Sequence, residues 1–133
     1  MSNAEFMTNA YARYNQRDWS FIDEYMSPTI QWHLPGPQDD LQGSAAVLEF
    51  FQGIAEQFSA HHIDVVDSLE GGDQLWCQVR HTFTSHDGAA HEIEAVHIWT
   101  INNGKVTKLV EVADTLGFAV AAGMIPAEAL QGG

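Results

Sequence analysis

The sequence predicts an α+β domain in which three N-terminal helices pack on the concave face of a curved antiparallel sheet. Apolar side chains recur at helical spacing over Phe6 to Met26 and Val47 to Phe58, then alternate at period two from His61 onward. Two glycine turns, Asp87-Gly88 and Asn103-Gly104, divide the second half into long strands. Helices first and strands after is the order of an α+β architecture. The 133 residues suit one domain, its core over about 5–126, able to bury most of its apolar surface without staples.

Phe6, Met7, Ala10, Tyr11 and Tyr14 form the stripe of a first helix over Glu5 to Asn15, which Arg17-Asp18 ends. Asp18 is placed to cap a second helix with Trp19, Phe21, Ile22, Tyr25 and Met26 inward, stopped by Ser27-Pro28. Thr29 to Leu34 alternates as a short strand, and LPGPQDDLQG, with its prolines, glycines and paired acids, reads as a loop. Ser44 is placed to cap a third helix whose apolar face is Val47, Leu48, Phe50, Phe51, Ile54 and Phe58. A strand over His61 to Leu69, a turn at Glu70 to Asp73 and the three long strands follow. Leu116 to Ala122 closes the fold as a short helix ended by Gly123, with a frayed tail after Pro126.

Pleating puts Ile93, Ala95, His97, Trp99 and Ile101 on one face and Glu94, Val96, Ile98 and Thr100 on the other. A two-residue Asp87-Gly88 hairpin pairs Arg80 with Ala95, Gln78 with His97 and Trp76 with Trp99, gathering Trp76, Gln78, Arg80, Thr82, His97 and Trp99 on one surface. Leu75, Cys77, Val79 and Phe83 then lie opposite, with Val96 and Ile98. The second hairpin allows two registers. An Asn103-Gly104 turn sets Glu111 opposite Val96, outside; a three-residue Asn102-Asn103-Gly104 loop with a glycine bulge sets it opposite Ala95, inside.

A formal charge of −13 repels nucleic acid and anionic membranes, whose binding needs lysine and arginine. Of five bases only Arg80 lies mid-strand, on the surface assigned to His97. The lone Cys77 reads as a small buried hydrophobe, and with no leader pattern or eighteen-residue apolar run the expected address is cytoplasmic. The seven histidines show no metal-ligand spacing, and no phosphate cradle or nucleophile elbow occurs, so neither metal nor cofactor is expected.

The stretches RYNQRDWSFIDEYMSPTIQWHLPG, GSAAVLEFF, NNGKVTKLVEV and DTLGFAVAAGMIP, in this order, resemble the SnoaL-like branch of the nuclear transport factor two-like superfamily. The superfamily also holds ketosteroid isomerases and limonene epoxide hydrolases. The resemblance covers roughly residues 5 to 126 and implies a cone open at one end, a pocket between helices and sheet, and a dimer through the outer sheet face. It favours the three-residue loop and hence an inward Glu111. In the family's polyketide cyclases a histidine and an acid at the positions of His97 and Glu111 form the acid-base pair, and the epoxide hydrolases place an aspartate where Glu111 stands. Trp32 occupies the ketosteroid isomerase base position, their oxyanion tyrosine aligns near Ala10, and Thr82 replaces the aspartate that follows the hydrolases' arginine.

The expectation is acid-base chemistry (isomerisation, cyclisation or hydration) on a small, mostly apolar, carbonyl-bearing molecule. Glu111 is the base, His97 its proton partner or an electrophile, and Arg80 and Gln78 orient the polar end. Trp32, Phe51, Phe58, Trp76, Trp99 and Leu109 line the pocket, with Asp114 at its mouth. The alternative is a non-catalytic module that binds a hydrophobic ligand or dimerises. A homodimer is expected through Leu75, Val79, Phe83, Val96, Ile98, Val110 and Val112.

Overall fold

The computed structural model describes residues 2–130. Helix α1 (Asn3–Asn15) begins at Ser2, whose hydroxyl accepts from the Glu5 N–H, and it buries Met7, Ala10, Tyr11 and Tyr14 at helical spacing. The turn after it is held by Arg13, which reaches Asp18 at 2.7 Å and Glu24 at 3.0 Å. Helix α2 (Phe21–Tyr25) is shorter than expected, because the chain is already extended at Met26. Ser27-Pro28 therefore lies inside strand β1 (Met26–His33) rather than stopping a helix. Pro28 falls where the pairing of β1 with its neighbour is interrupted, between Met26 and Gln31, so its missing N–H costs no ladder bond there.

Within the expected loop, Leu41–Gln42 forms a two-residue strand, β2, with Leu41 opposite Trp32. Helix α3 (Ser44–Gln57) starts after Gly43, which has φ +88° and makes no side-chain cap, so Ser44 is a helical residue and not the cap. A Cβ at Gly43 would sit 3.2 Å from the Pro28 carbonyl oxygen, which explains the glycine. Strands β3 (Ala60–Gly71), β4 (Gln74–Thr84), β5 (Ala90–Asn102) and β6 (Lys105–Ala113) complete a sheet of order β2-β1-β6-β5-β4-β3. The sheet is not wholly antiparallel, since β1 runs parallel to β6. Helix α4 (Thr115–Ala121) is capped by Asp114, and a 3-10 turn over Ala127–Leu130 stands where a frayed tail was expected.

Both hairpin registers differ from expectation. At the first, the Gly88 N–H reaches the Ser85 carbonyl, the Ser85 N–H reaches the Ala89 carbonyl, and Gly88 has φ +91°. This is a three-residue loop, a type I turn closed by a left-handed glycine, not a two-residue turn. One extra residue flips β4: Cys77 pairs with His97, Leu75 with Trp99, and Arg80 with Glu94. Trp76, Gln78 and Arg80 consequently leave the inner face, and His81 enters it. At the second hairpin Asn103 (φ +54°) and Gly104 (φ +74°) form a two-residue turn between Asn102 and Lys105. A bulge that leaves Thr107 unpaired restores the inward phase, setting Glu111 opposite His97.

The inner face packs against α1 to α3 through a core that includes Ile30, Val47, Leu75, Val79, Val106 and Leu109. A second cluster under α4 holds Phe58, Phe83, Ile93 and Ala121. Leu75, Val79 and Phe83, expected outside, are therefore core. The convex face instead exposes Leu69 and Trp76, cross-strand partners at 74% and 47% exposure, with Val112 at 61%. No helix among the described residues is long and apolar enough to cross a membrane.

Candidate active site

Between the helices and the concave sheet lies a cavity of about 580 Å³, a size that takes a ligand of two to four fused or linked rings. Tyr11, Tyr14, Trp32, Phe51, Phe83 and Trp99 supply much of its aromatic wall. Trp32 meets Phe51 and Trp99 edge to face at 5.6 and 5.5 Å between centroids, which fixes all three rings. Its indole N–H is buried without a hydrogen-bond partner among the described residues. Pro35, Pro37 and Gln38 of the β1–β2 loop, with the exposed Leu116 and Met124, form the rim. The described residues that line the cavity include no lysine or arginine; the single carboxylate is Glu111.

The polar heart of the cavity is a chain of buried hydrogen bonds. Strands β5 and β6 place His97 and Glu111 as direct partners, and β4 brings His81 alongside. Nε2 of His97 lies 2.6 Å and Nε2 of His81 lies 2.9 Å from the same Glu111 oxygen, Oε2. Nδ1 of His97 meets the Tyr11 hydroxyl at 2.7 Å, and that hydroxyl accepts the Trp99 indole N–H at 2.8 Å. Nδ1 of His81 meets Nε2 of His61 at 2.7 Å, and Nδ1 of His61 meets the Tyr14 hydroxyl at 2.6 Å.

One assignment of protons satisfies every link. Tyr14 O–H donates to His61, His61 Nε2–H to His81, and His81 Nε2–H to Glu111; Tyr11 O–H donates to His97, whose Nε2–H also goes to Glu111. All three imidazoles are then neutral and Glu111 is ionised. Burial pushes the Glu111 carboxyl upward, but the interaction with His97 and the hydrogen bonds from His81 and His97 outweigh it and hold it well below the usual carboxylate range. Burial, reinforced by His81, pushes His61 well below the ordinary histidine value. Burial lowers His81 too, against the opposing pull of Glu111. Burial raises both tyrosines, so neither is a phenolate at rest.

His81, His97 and Glu111 also bring three ligand-type atoms within 4.8 Å of one another, a cluster that could hold a divalent cation. The spacing runs across three strands, which is why the linear sequence shows no metal pattern. Ligation would need both Nε2 lone pairs, moving each ring proton to Nδ1. His61 would then have to donate toward Tyr14, leaving two donors face to face unless the Tyr14 hydroxyl turned away.

Of the residues read from sequence, Glu111, His97, Trp32, Phe51 and Trp99 meet at this cavity. Arg80, Gln78 and Trp76 do not, being on the convex face. Phe58 is buried in the cluster under α4, and Leu109 is fully buried outside the cavity lining. Asp114 spends its carboxylate on the Gly117 N–H at 2.8 Å and is not part of the wall. Sequence reasoning missed His81, His61, Tyr11 and Tyr14. A usable signal existed: Leu75, Cys77, Val79, His81 and Phe83 alternate in β4 as Ile93 to Ile101 do in β5, each with one histidine in an apolar row.

The curled sheet thus carries a buried polar cluster on its inner face, beside a cavity that the helices cover. The chain belongs to the SnoaL-like family, whose domain model matches residues 7–109. TerC, crystallised with polyporic acid, is 25% identical over 91% of this chain and 98% of its own, with a TM-score of 0.82. A nuclear transport factor two-like protein of unknown function from Burkholderia pseudomallei is 19% identical, covers 92% and 98%, and superposes with a TM-score of 0.83. IdmH from Streptomyces antibioticus, a proposed polyketide cyclase, is 17% identical over 92% and 99%, with a TM-score of 0.81. No protein with a curated description matches the sequence.

Proposed function

We propose that the chain is an acid-base enzyme acting on a neutral, flat, carbonyl-bearing molecule, with Glu111 as the proton acceptor and His97 as its partner. The observation that carries this reading is the convergence of both imidazole donors on Oε2 of a carboxylate that borders an aromatic cavity. Oε2 is saturated, so Oε1 is the oxygen left to meet a substrate. With its basicity lowered, Glu111 suits carbon acids already activated by a carbonyl or an aromatic ring rather than unactivated ones. A carboxylate among aromatic walls with no lysine or arginine lining them disfavours anionic ligands. Family membership supports small-molecule chemistry; isomerisation, cyclisation and dehydration all need this same proton transfer.

The test uses 2-tetralone, a neutral bicyclic ketone with acidic α-protons, and follows its deuterium uptake from D2O by proton NMR. The wild-type protein should accelerate uptake, and Glu111→Gln, which keeps shape but removes the acceptor, should lower it roughly 10²- to 10⁴-fold. Quenching of tryptophan fluorescence measures binding separately; polyporic acid, the ligand crystallised with TerC, belongs in that panel. Binding without any Glu111-dependent exchange would favour the non-catalytic module instead. We further propose a homodimer through the convex face, centred on Leu69, Trp76, Val96, Ile98, Val110 and Val112, because so contiguous an apolar surface favours burial against a second copy.

A further inference from the structure

Among the described residues, all but one of the side-chain donors in the buried wall of the cavity are engaged inside the hydrogen-bond network. The N–H groups of His81 and His97 go to Oε2 of Glu111, the His61 N–H goes to His81, the two tyrosine hydroxyls go to His61 and His97, and the Trp99 indole goes to Tyr11. The exception is Trp32, and its indole nitrogen is sealed within the packing, out of a ligand's reach. The donors left over belong to Gln38, Gln57 and Thr115, which border the cavity from solvent-exposed positions. One acceptor remains inside. No hydrogen bond among the described residues reaches Oε1 of Glu111, and that oxygen is not sealed, since the Trp32 nitrogen is the one side-chain polar atom there that is both buried and unpartnered. Glu111 lines the cavity with its side chain 13% exposed. The interior therefore offers a charged acceptor and no free donor.

We propose that the ligand selected by this cavity carries an aromatic or enolic hydroxyl, which it donates to Oε1 of Glu111. The inference rests on the acid-base reading in taking Glu111 as the group that meets the substrate, and it adds the polarity of that meeting. A ligand with a carbonyl alone would leave Oε1 without a donor and set its own oxygen against aromatic rings. A hydroxyl matches one donor to one acceptor in a charge-assisted bond. An ammonium brings three N–H donors to that single acceptor, so two of them would be buried unpaired. The edge-to-face rings of Trp32, Phe51 and Trp99 favour a flat frame, hence a phenol or a conjugated enol over an aliphatic alcohol. Glu111→Gln gives the idea a sharp consequence. Only the amide oxygen can accept the two imidazole N–H donors, so the amide NH2 must turn to the cavity and invert its polarity without changing its shape.

Equilibrium dialysis at pH 7 with three ligands of one size, 2-naphthol, 2-methoxynaphthalene and 2-tetralone, reads the preference. The wild-type protein should bind 2-naphthol about ten- to a hundredfold more tightly than either of the others, the worth of one hydrogen bond to a charged group. Glu111→Gln should reverse the order and bind 2-tetralone best. Equal binding of all three by the wild-type protein would overturn the proposal with no need of the variant. Tighter binding of 2-aminotetralin, an ammonium at this pH, would overturn it as well, and so would a preference for 2-naphthol that persists in Glu111→Gln. The two ideas fail separately: Glu111-dependent exchange of 2-tetralone with no preference for 2-naphthol keeps the acid-base reading and removes the hydroxyl site, whereas the preference without exchange does the reverse.

Discussion

Lowering the pH from 7.5 to 5.5 should destabilise this protein sharply, because His61 and His81 are buried neutral and their folded-state values lie below the ordinary 6.5. The sign follows from proton counting. Below pH 6.5 the unfolded chain binds a proton at each of these histidines while the native state does not, so acid favours unfolding. Each fully suppressed histidine contributes about 1.4 kcal/mol per pH unit, and the pair at most about 2.7 kcal/mol across this interval. That is a large share of a typical domain stability of about 5–15 kcal/mol. Urea titrations at half-unit pH steps, read by the fluorescence of the two buried tryptophans Trp32 and Trp99, measure it. His61→Gln should lower the slope to about that of one histidine. A stability constant within about 0.5 kcal/mol between pH 7.5 and 5.5 would refute the neutral state of the two buried imidazoles.

Below about pH 4.5 a further loss should set in, since the lowered Glu111 value means acid must protonate a carboxylate that the fold holds ionised; Glu111→Gln should remove that component from the same titrations. Tyr11→Phe strips the Trp99 indole of its acceptor in a buried site and should cost about 1–3 kcal/mol in urea unfolding. Gly117→Ala should cost about 1–2 kcal/mol, because a Cβ there would lie 2.5 Å from the Asp114 carboxylate that caps α4; a neutral result in thermal unfolding would show the cap to be dispensable. Trp76→Arg should leave the cavity untouched but shift the protein toward monomer in sedimentation, and an unchanged mass would remove the convex face as the dimer contact.

The order of elements was legible because helical and strand periods differ by nearly a factor of two and the chain keeps the helical one through α1 and α3 and the alternating one through β1 and from His61 to Ala113. Registers were not, because each hangs on one residue of loop length. Asp87-Gly88 supports both a two-residue turn and the three-residue loop actually formed, and the choice moved Arg80 out and His81 in. Glu111 reached the inner face by a route the sequence does not advertise, a tight Asn103-Gly104 turn corrected by a bulge at Thr107. The tyrosines were read as stripe residues of α1, which they are; their hydroxyls meet histidines 47 and 86 positions away, a relation that only the tertiary fold creates.

The bulge at Thr107 holds β6 to one of two pairings open to this sequence. If Thr107 paired with Thr100, every later residue would slip by one, setting Lys108 opposite the inward Trp99 and Glu111 opposite Val96 on the solvent side. That strand would bury a lysine and turn Leu109 out of the core, a cost that the bulged pairing avoids. Deleting Thr107 would remove the alternative without moving the carboxylate, because Val106 and Lys108 would become neighbours and Glu111 would stay opposite His97. The placement of the buried acid is thus guarded by an exposed lysine three residues before it.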